Sequence, residues 1–260
     1  MIRHLRLRFD VDQIDWQDIP VPERPKKHPD ESVAVIGSGP AGLACTYFLA
    51  LEGYPVTVFE ALPVLGGMLR VGIPDYRLPA TVLEQDINYI KKLDVNFITD
   101  HPIGESHSIQ DLFNEGFQAV FAAAGLHKDV PLKIPGYEAK GVISAVRYLQ
   151  DMNLDEFNEN KPHVVVIGGT NLAVDAARAA LRKGAKEVTI LYDRIRRSRE
   201  AMPARNEEVR AAEAEGINID TDGKPLEVLT ENGQVIGLRC QKKEAKKPKG
   251  KGNYLQAPLK

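Results

Sequence analysis

Cysteine is nearly absent. Cys45 and Cys240 are the only two among 260 residues, which leaves no disulfide framework, no CxxC redox pair and no iron–sulfur cluster that this chain could ligate by itself. Enzymes that work through a paired-cysteine dithiol are therefore disfavoured. A surplus of either charge is also lacking. The 34 Lys and Arg stand against 36 Asp and Glu, for a formal charge of −2, so no overall field favours nucleic acid or an anionic membrane. Long hydrophobic runs are missing as well. The N-terminus, MIRHLRLRFDVDQIDW, carries charges throughout and reads as neither a signal peptide nor a membrane span, which predicts no membrane insertion and, by default, a cytoplasmic location. The six histidines, His4, His28, His101, His107, His127 and His163, are scattered without metal-ligand spacing, so no metal site is expected. What remains is an ordinary globular composition, 43% apolar and 27% charged, in a chain long enough for two domains with real cores.

Residues 1–31 contain Pro20, Pro22, Pro25 and Pro29, a density that disfavours helix and sheet and predicts an extended arm that could lie on a partner. From Ser32 the texture changes. Val33-Ala34-Val35-Ile36 is a short apolar run ending in glycines, Ala41 to Leu51 is helix-like, and Pro55 to Phe59 is a second β-branched run. A second copy of this strand–helix–strand order begins at His163. Val164 to Ile167 precedes a glycine pair, Leu172 to Arg182 is alanine-rich and helical, and Glu187 to Tyr192 closes the unit. Two βαβ units imply an α/β chain with two Rossmann-like units and parallel sheets.

Between the copies, Thr81 to Leu93 predicts an amphipathic helix, Ala119 to Ala122 a buried strand and Ala145 to Met152 another helix. Asn153 to Lys161 reads as a linker. The expected organisation is an arm over 1–31, a first dinucleotide-binding domain over 32–155 and a second over 162–260. Within the second, Arg205 to Glu215 predicts a charged helix and Val235 to Gln241 a strand after the turn-forming Glu231-Asn232-Gly233. Lys242 to Lys251 is lysine-rich, read as a solvated hairpin tip in preference to an anion site.

Gly37-Ser38-Gly39-Pro40-Ala41-Gly42 directly follows the first strand and opens a helix, the context that gives a GxGxxG match its specificity. Gly37 would make the tight turn, Gly39 would let the backbone approach a pyrophosphate, and Gly42 would bring helix against strand. The diphosphate would then rest on the free amides and positive end of the helix. Glu60 ends the second strand, where an acid accepts hydrogen bonds from ribose hydroxyls. Gly66-Gly67-Met68 follows, and a second glycine pair there lets the chain pass close to the ribityl and pyrophosphate of a longer cofactor, FAD.

These residues, followed by Gly72-Ile73-Pro74-Asp75-Tyr76-Arg77-Leu78-Pro79, resemble the FAD-binding segment of the glutamate synthase small-subunit family, which includes the flavin portion of dihydropyrimidine dehydrogenase. The resemblance implies that these positions hold FAD, with Arg77 near the flavin. Ala123-Ala124-Gly125 resembles the short stretch at which the family's chain returns beside the FAD. Gly168-Gly169-Thr170-Asn171-Leu172-Ala173-Val174-Asp175 resembles the GGGNxAxD turn at which the family binds its nicotinamide nucleotide, in a domain that follows or is inserted into the FAD domain. Thr170 stands where the family has a third glycine, and its side chain could crowd the pyrophosphate. Asp175 could bond to loop amides or face solvent.

The family places arginines after the second strand of this unit to hold the 2′-phosphate of NADPH. This chain has Asp193 followed by Arg194, Arg196, Arg197 and Arg199. If Asp193 faces the ribose, NADH is favoured; if Arg194, Arg196 or Arg197 turns in, NADPH is favoured, and the number of arginines tilts the expectation to NADPH. A solvated arginine-rich turn is the alternative. The resemblance runs from about Glu31 to Gln241. Relative to the family, the chain looks truncated at both ends, without the Gly-Asp piece that completes the flavin domain or the N-terminal cluster-binding domain.

The implied function is an FAD-dependent NAD(P)H oxidoreductase module or subunit that passes electrons from NAD(P)H through FAD to an iron–sulfur or other redox partner. No catalytic acid, base or nucleophile is expected, because the cofactors carry the chemistry. The alternative is a non-catalytic assembly subunit of a larger redox complex with a degenerate flavin domain.

Overall fold

The computed structural model describes residues 20–23, 25, 27–128, 130–156, 162–192, 202–242 and 254–258. They form two compact units. The first takes the described residues up to Arg70 together with Asp75–Leu126, and the second takes Val71–Pro74 and the described residues from His127 onward.

In the first unit the elements are β1 (Val33–Ile36), α1 (Pro40–Glu52), β2 (Val56–Phe59), α2 (Met68–Val71, its last residue assigned to the second unit), α3 (Ala80–Lys91), β3 (Asn96–Ile98), α4 (Ile109–Asn114) and β4 (Ala119–Ala122). The four strands make one parallel sheet in the order β3-β2-β1-β4. The chain steps outward from β1 to β3 and then crosses to the other side of β1. The connections out of β1 and β3 therefore run in opposite directions across the sheet, which puts the switch point between β1 and β4, and nucleotides usually bind at the carboxyl ends of such strands. Valines suit the central strands because both faces are covered: Val35, Val56 and Val58 form one apolar cluster, and Ala34, Phe59 and Leu112 another. Burying a side chain such as Leu112 stabilises the unit by about 2 kcal/mol.

Pro40 at the first position of α1 pre-sets its φ, and Gly53 ends the helix in the left-handed region at φ 96°. Asp75 accepts the Ala80 amide at 2.8 Å at the start of α3, whose Leu83, Ile87 and Ile90 pack with Leu43 of α1. The expected arm is seen only in part, and that part lies on this unit. Tyr89 donates its hydroxyl to the Pro20 carbonyl at 3.1 Å, His28 stacks flat on Tyr54 with centroids 4.2 Å apart, and the missing Cβ of Gly53 leaves room for the Pro25 carbonyl. One expectation fails here: β4 is not buried. Its apolar run predicts a core strand, but it lies at the sheet edge with a single neighbour, and Phe121 is 40% exposed.

The second unit contains α5 (Ala145–Asn153), β5 (His163–Ile167), α6 (Asn171–Arg182), β6 (Glu187–Leu191), α7 (Asn206–Ala214), β7 (Asn218–Asp220), β8 (Gly223–Glu231), β9 (Gln234–Lys242) and β10 (Tyr254–Pro258). Strands β5, β6 and β7 pair in parallel, and β8, β9 and β10 form an antiparallel sheet. The alanines of α6 let it sit close to the sheet, where Val174, Ala177 and Ala180 meet Val188 and Ile190. Asn232 and Gly233, at φ 49° and 76°, make the tight turn expected between β8 and β9. The boundary expected at 155–162 is displaced to Leu126/His127. Leu149 and Met152 of α5 bury themselves against Ala176 and Ala179 of α6, so the helix taken for the end of the first domain belongs to the core of the second. The lysine-rich stretch lies largely outside the described residues; the strands on either side of it, β9 and β10, pair directly.

Arg178 of α6, only 9% exposed, bonds Glu208 and Glu215, and Arg182 also reaches Glu215. These two guanidinium groups hold the Glu215 carboxyl down at about 2.

Candidate functional site

The first glycine turn sits at the carboxyl end of β1. Gly37, at φ 94°, bonds through its amide to the Phe59 carbonyl at 2.8 Å. A Cβ there would lie 2.5 Å from the Ala123 carbonyl oxygen, so Gly37 is needed both for the turn and for the close passage of Ala123-Ala124 beside it. Gly42 meets its expectation more sharply: a Cβ would fall 1.9 Å from the Gly37 carbonyl oxygen. Gly39 is different. Its backbone is extended (φ −67°, ψ −178°), and a Cβ would meet nothing within 4 Å. Sterics inside the protein do not require this glycine, but an anion drawn against its bare backbone would. Gly39 caps α1 without a side-chain hydrogen bond, and Pro40, Ala41 and Gly42 form the first turn, so the helix amides there stay available to a phosphate.

The second glycine pair closes on the first turn. Gly67, at φ 53°, lies where a Cβ would be 2.8 Å from the Gly39 Cα, and Gly66, at φ 114°, abuts Leu83. Met68 opens α2 just beyond. Glu60 is buried at 6% exposure and receives the Ser38 amide at 2.8 Å and the Leu62 amide at 2.9 Å. The Ser38 hydroxyl donates to the same Glu60 oxygen and accepts the Gly66 amide at 3.0 Å. Nothing in the sequence marks Ser38, because a serine between two glycines carries no pattern of its own. Gly37, Gly39, Gly42, Glu60, Gly66 and Gly67 are thus brought together. Arg77 is half-buried in the turn before α3.

In the second unit Gly168, at φ 146°, donates to the Leu191 carbonyl at 3.0 Å. Gly169 makes room for a neighbour within the chain, since a Cβ would strike the Tyr192 ring at 2.4 Å. Thr170 caps α6 in extended geometry with no side-chain capping bond, leaving the amides of Asn171, Leu172 and the first turn uncapped by it. The Asn171 side chain accepts the Arg205 amide at 2.9 Å, and the Gly169 carbonyl accepts the Ala204 amide at 2.9 Å. The Met202–Arg205 segment is therefore pinned to the glycine turn, and Met202 and Ala204 are buried in the same core as Val174. The solvent-facing alternative for Asp175 is overturned: it is 5% exposed. Arg194, Arg196 and Arg197 lie outside the described residues.

The histidines are less scattered than their spacing suggested. The rings of His101 and His107 meet with centroids 4.8 Å apart and flank Phe59. Among the described residues, no group of three or more candidate ligands could hold a metal ion, and no helix is long and apolar enough to cross a membrane.

Residues 31–251 match the family model described as pyridine nucleotide-disulphide oxidoreductase. The chain belongs to that family. It is 41% identical over 260 aligned positions to the NADPH-Fe(3+) oxidoreductase subunit beta of Geobacter sulfurreducens, covering 97% of this chain and 38% of the relative. It is 32% identical over 238 positions to the glutamate synthase [NADPH] small chain of Escherichia coli, covering 87% of this chain and 50% of the relative. The chain thus spans half or less of the length of these relatives, and the likeness to the glutamate synthase small chain bears out the resemblance noted in the sequence. Among solved structures, Mycobacterium tuberculosis FprA in complex with NADPH superposes with a TM-score of 0.68 at 20% identity, covering 89% of this chain and 70% of FprA. At that identity the likeness concerns the fold, which is the two-unit α/β architecture expected.

Proposed function

We propose that the first unit holds FAD, that the second holds NADPH, and that the chain carries electrons from NADPH through FAD to an iron–sulfur or other redox subunit in the cytoplasm. The observation that carries this reading is the pair of glycine turns. Each lies at the carboxyl end of the first strand of a parallel sheet and opens a helix whose first amides lack a capping side chain. The turn at Gly39 also has a second glycine loop folded onto it. That second loop fits a cofactor longer than a nicotinamide nucleotide, because it brings bare backbone from two segments to one cradle. Gly37, Gly39, Pro40, Ala41 and Gly42 would face the flavin nucleotide's pyrophosphate, Glu60 its ribose, Gly66, Gly67 and Met68 the adjoining ribityl side, and Arg77 the flavin end.

In the second unit, Gly168, Gly169, Thr170, Asn171 and Leu172 would receive the nicotinamide nucleotide. Arg194, Arg196 and Arg197 would then select its 2′-phosphate. When bound, the flavin would accept hydride from the nicotinamide and release electrons to the partner; the chain's own part is to hold, orient and shield. The names of the relatives, an NADPH-Fe(3+) oxidoreductase subunit and an NADPH glutamate synthase small chain, support the choice of NADPH. Both cysteines are unpaired, and burial pushes their thiols up, so these residues offer no reactive dithiol.

Calorimetric titration of the full chain tests the assignment. FAD and NADP⁺ should each bind once per chain and without competition. Mutual displacement of the two nucleotides would remove the two-site reading.

A further inference from the structure

We infer that Ser38 is a positioning residue that fixes the Glu60 carboxylate for a single ribose hydroxyl of the flavin nucleotide, an inference that rests on the FAD assignment above. Ser38 is fully buried, and its hydroxyl has no freedom of direction. Glu60 as a carboxylate offers only acceptors, so the hydroxyl proton must point to Glu60, which leaves an oxygen lone pair for the Gly66 amide. One side chain therefore ties together three separate segments of the proposed cradle: the fingerprint turn, the acid at the end of β2 and the second glycine loop.

The carboxylate is gripped from both sides. The Ser38 amide and hydroxyl both reach Oε2, and the Leu62 amide reaches Oε1. An ionised carboxylate has about four acceptor positions, so with Oε2 filled by two donors, the position left open lies on Oε1. The carboxylate is thus set in orientation before a ligand arrives, which lowers the ordering cost of binding. It should accept one hydroxyl rather than chelate two.

The test is a double-mutant cycle on FAD affinity, read by quenching of flavin fluorescence with the full chain. Ser38→Ala should weaken FAD on the order of 10-fold. In a Glu60→Gln background the same change should cost less than about 3-fold, because the partner it orients is altered. The affinity for NADP⁺ at the second unit should stay at the wild-type value in all variants. If Ser38→Ala proves unfolded, Ser38→Cys, slightly larger and only a weak donor, carries the same cycle. Unchanged FAD affinity in Ser38→Ala, or an equal penalty in both backgrounds, overturns the inference; the second result would leave Ser38 pinning the Gly66 loop alone. A wild-type chain that takes up no FAD instead overturns the proposed function, and that outcome is distinct from wild type and Ser38→Ala binding equally well.

Discussion

Two glycines of one turn should respond to alanine in opposite ways. At Gly39 the backbone is extended and a Cβ meets no atom within 4 Å, so Gly39→Ala should leave stability within about 0.5 kcal/mol of wild type, with a small gain expected from the stiffer unfolded chain. The added methyl would fill the space that a pyrophosphate needs. Losing that approach and its amide bonds should weaken FAD on the order of 100-fold, or about 2.7 kcal/mol. Gly39→Val should abolish retention. At Gly42 the Cβ would fall 1.9 Å from the Gly37 carbonyl oxygen and 3.0 Å from its carbon. Those are backbone atoms of the turn itself and cannot rotate away, so Gly42→Ala should cost about 3 kcal/mol of stability. The unit should melt roughly 10 °C lower. Thermal melts paired with FAD titration separate the two effects. Gly39→Ala binding FAD at wild-type affinity would refute the reasoning, and so would Gly42→Ala melting as wild type does.

Thr170→Gly should tighten NADP⁺ binding by about 3-fold to 10-fold if its side chain crowds the pyrophosphate. The stability cost should be only a few tenths of a kcal/mol, because Thr170 makes no side-chain capping bond; equal affinity in a calorimetric titration would clear the threonine of that role. Replacing Arg194, Arg196 and Arg197 together by alanine should raise KM for NADPH more than 10-fold while leaving that for NADH within about 2-fold. A parallel rise in both would assign the arginines to something other than the 2′-phosphate. Glu215 is held at about 2, below its ordinary 4.5, by Arg182 and Arg178, so its stabilising contribution is full above about 4.5 and disappears as pH falls through 2. Glu215→Gln should therefore lose about 2 kcal/mol near pH 7, and the difference from wild type should shrink as pH falls from about 4.5 toward 2; a gap that does not depend on pH would contradict this.

The strand–glycine–helix units were legible because three signals coincide in each: a short β-branched run, a glycine turn and a helix rich in small residues. Short elements were not. Asn96–Ile98 and Asn218–Asp220 are three-residue strands placed by neighbours rather than by their own pattern. Gly223–Glu231 was hidden by Pro225, which sits beside a register shift in the ladder. Composition misled at Ala119–Ala122, where an apolar run is an exposed edge, and at Ala145–Asn153, where the sequence shows an amphipathic helix but not which core receives it. In the candidate site the glycine turns were legible as turns, but the neighbours that each glycine meets were not. Gly169 makes room for Tyr192, a contact between segments far apart in the chain. Ser38 and the Asn171–Arg205 bond depend on the fold bringing unlike segments together.

The central claim is that one chain joins a flavin site to a nicotinamide site, and anaerobic reduction tests it most directly. The FAD-loaded full chain should lose its visible flavin absorbance on addition of one equivalent of NADPH, and should do so far more slowly with NADH. A chain that binds FAD but keeps its absorbance with either nucleotide, or that takes up no FAD, would contradict the account.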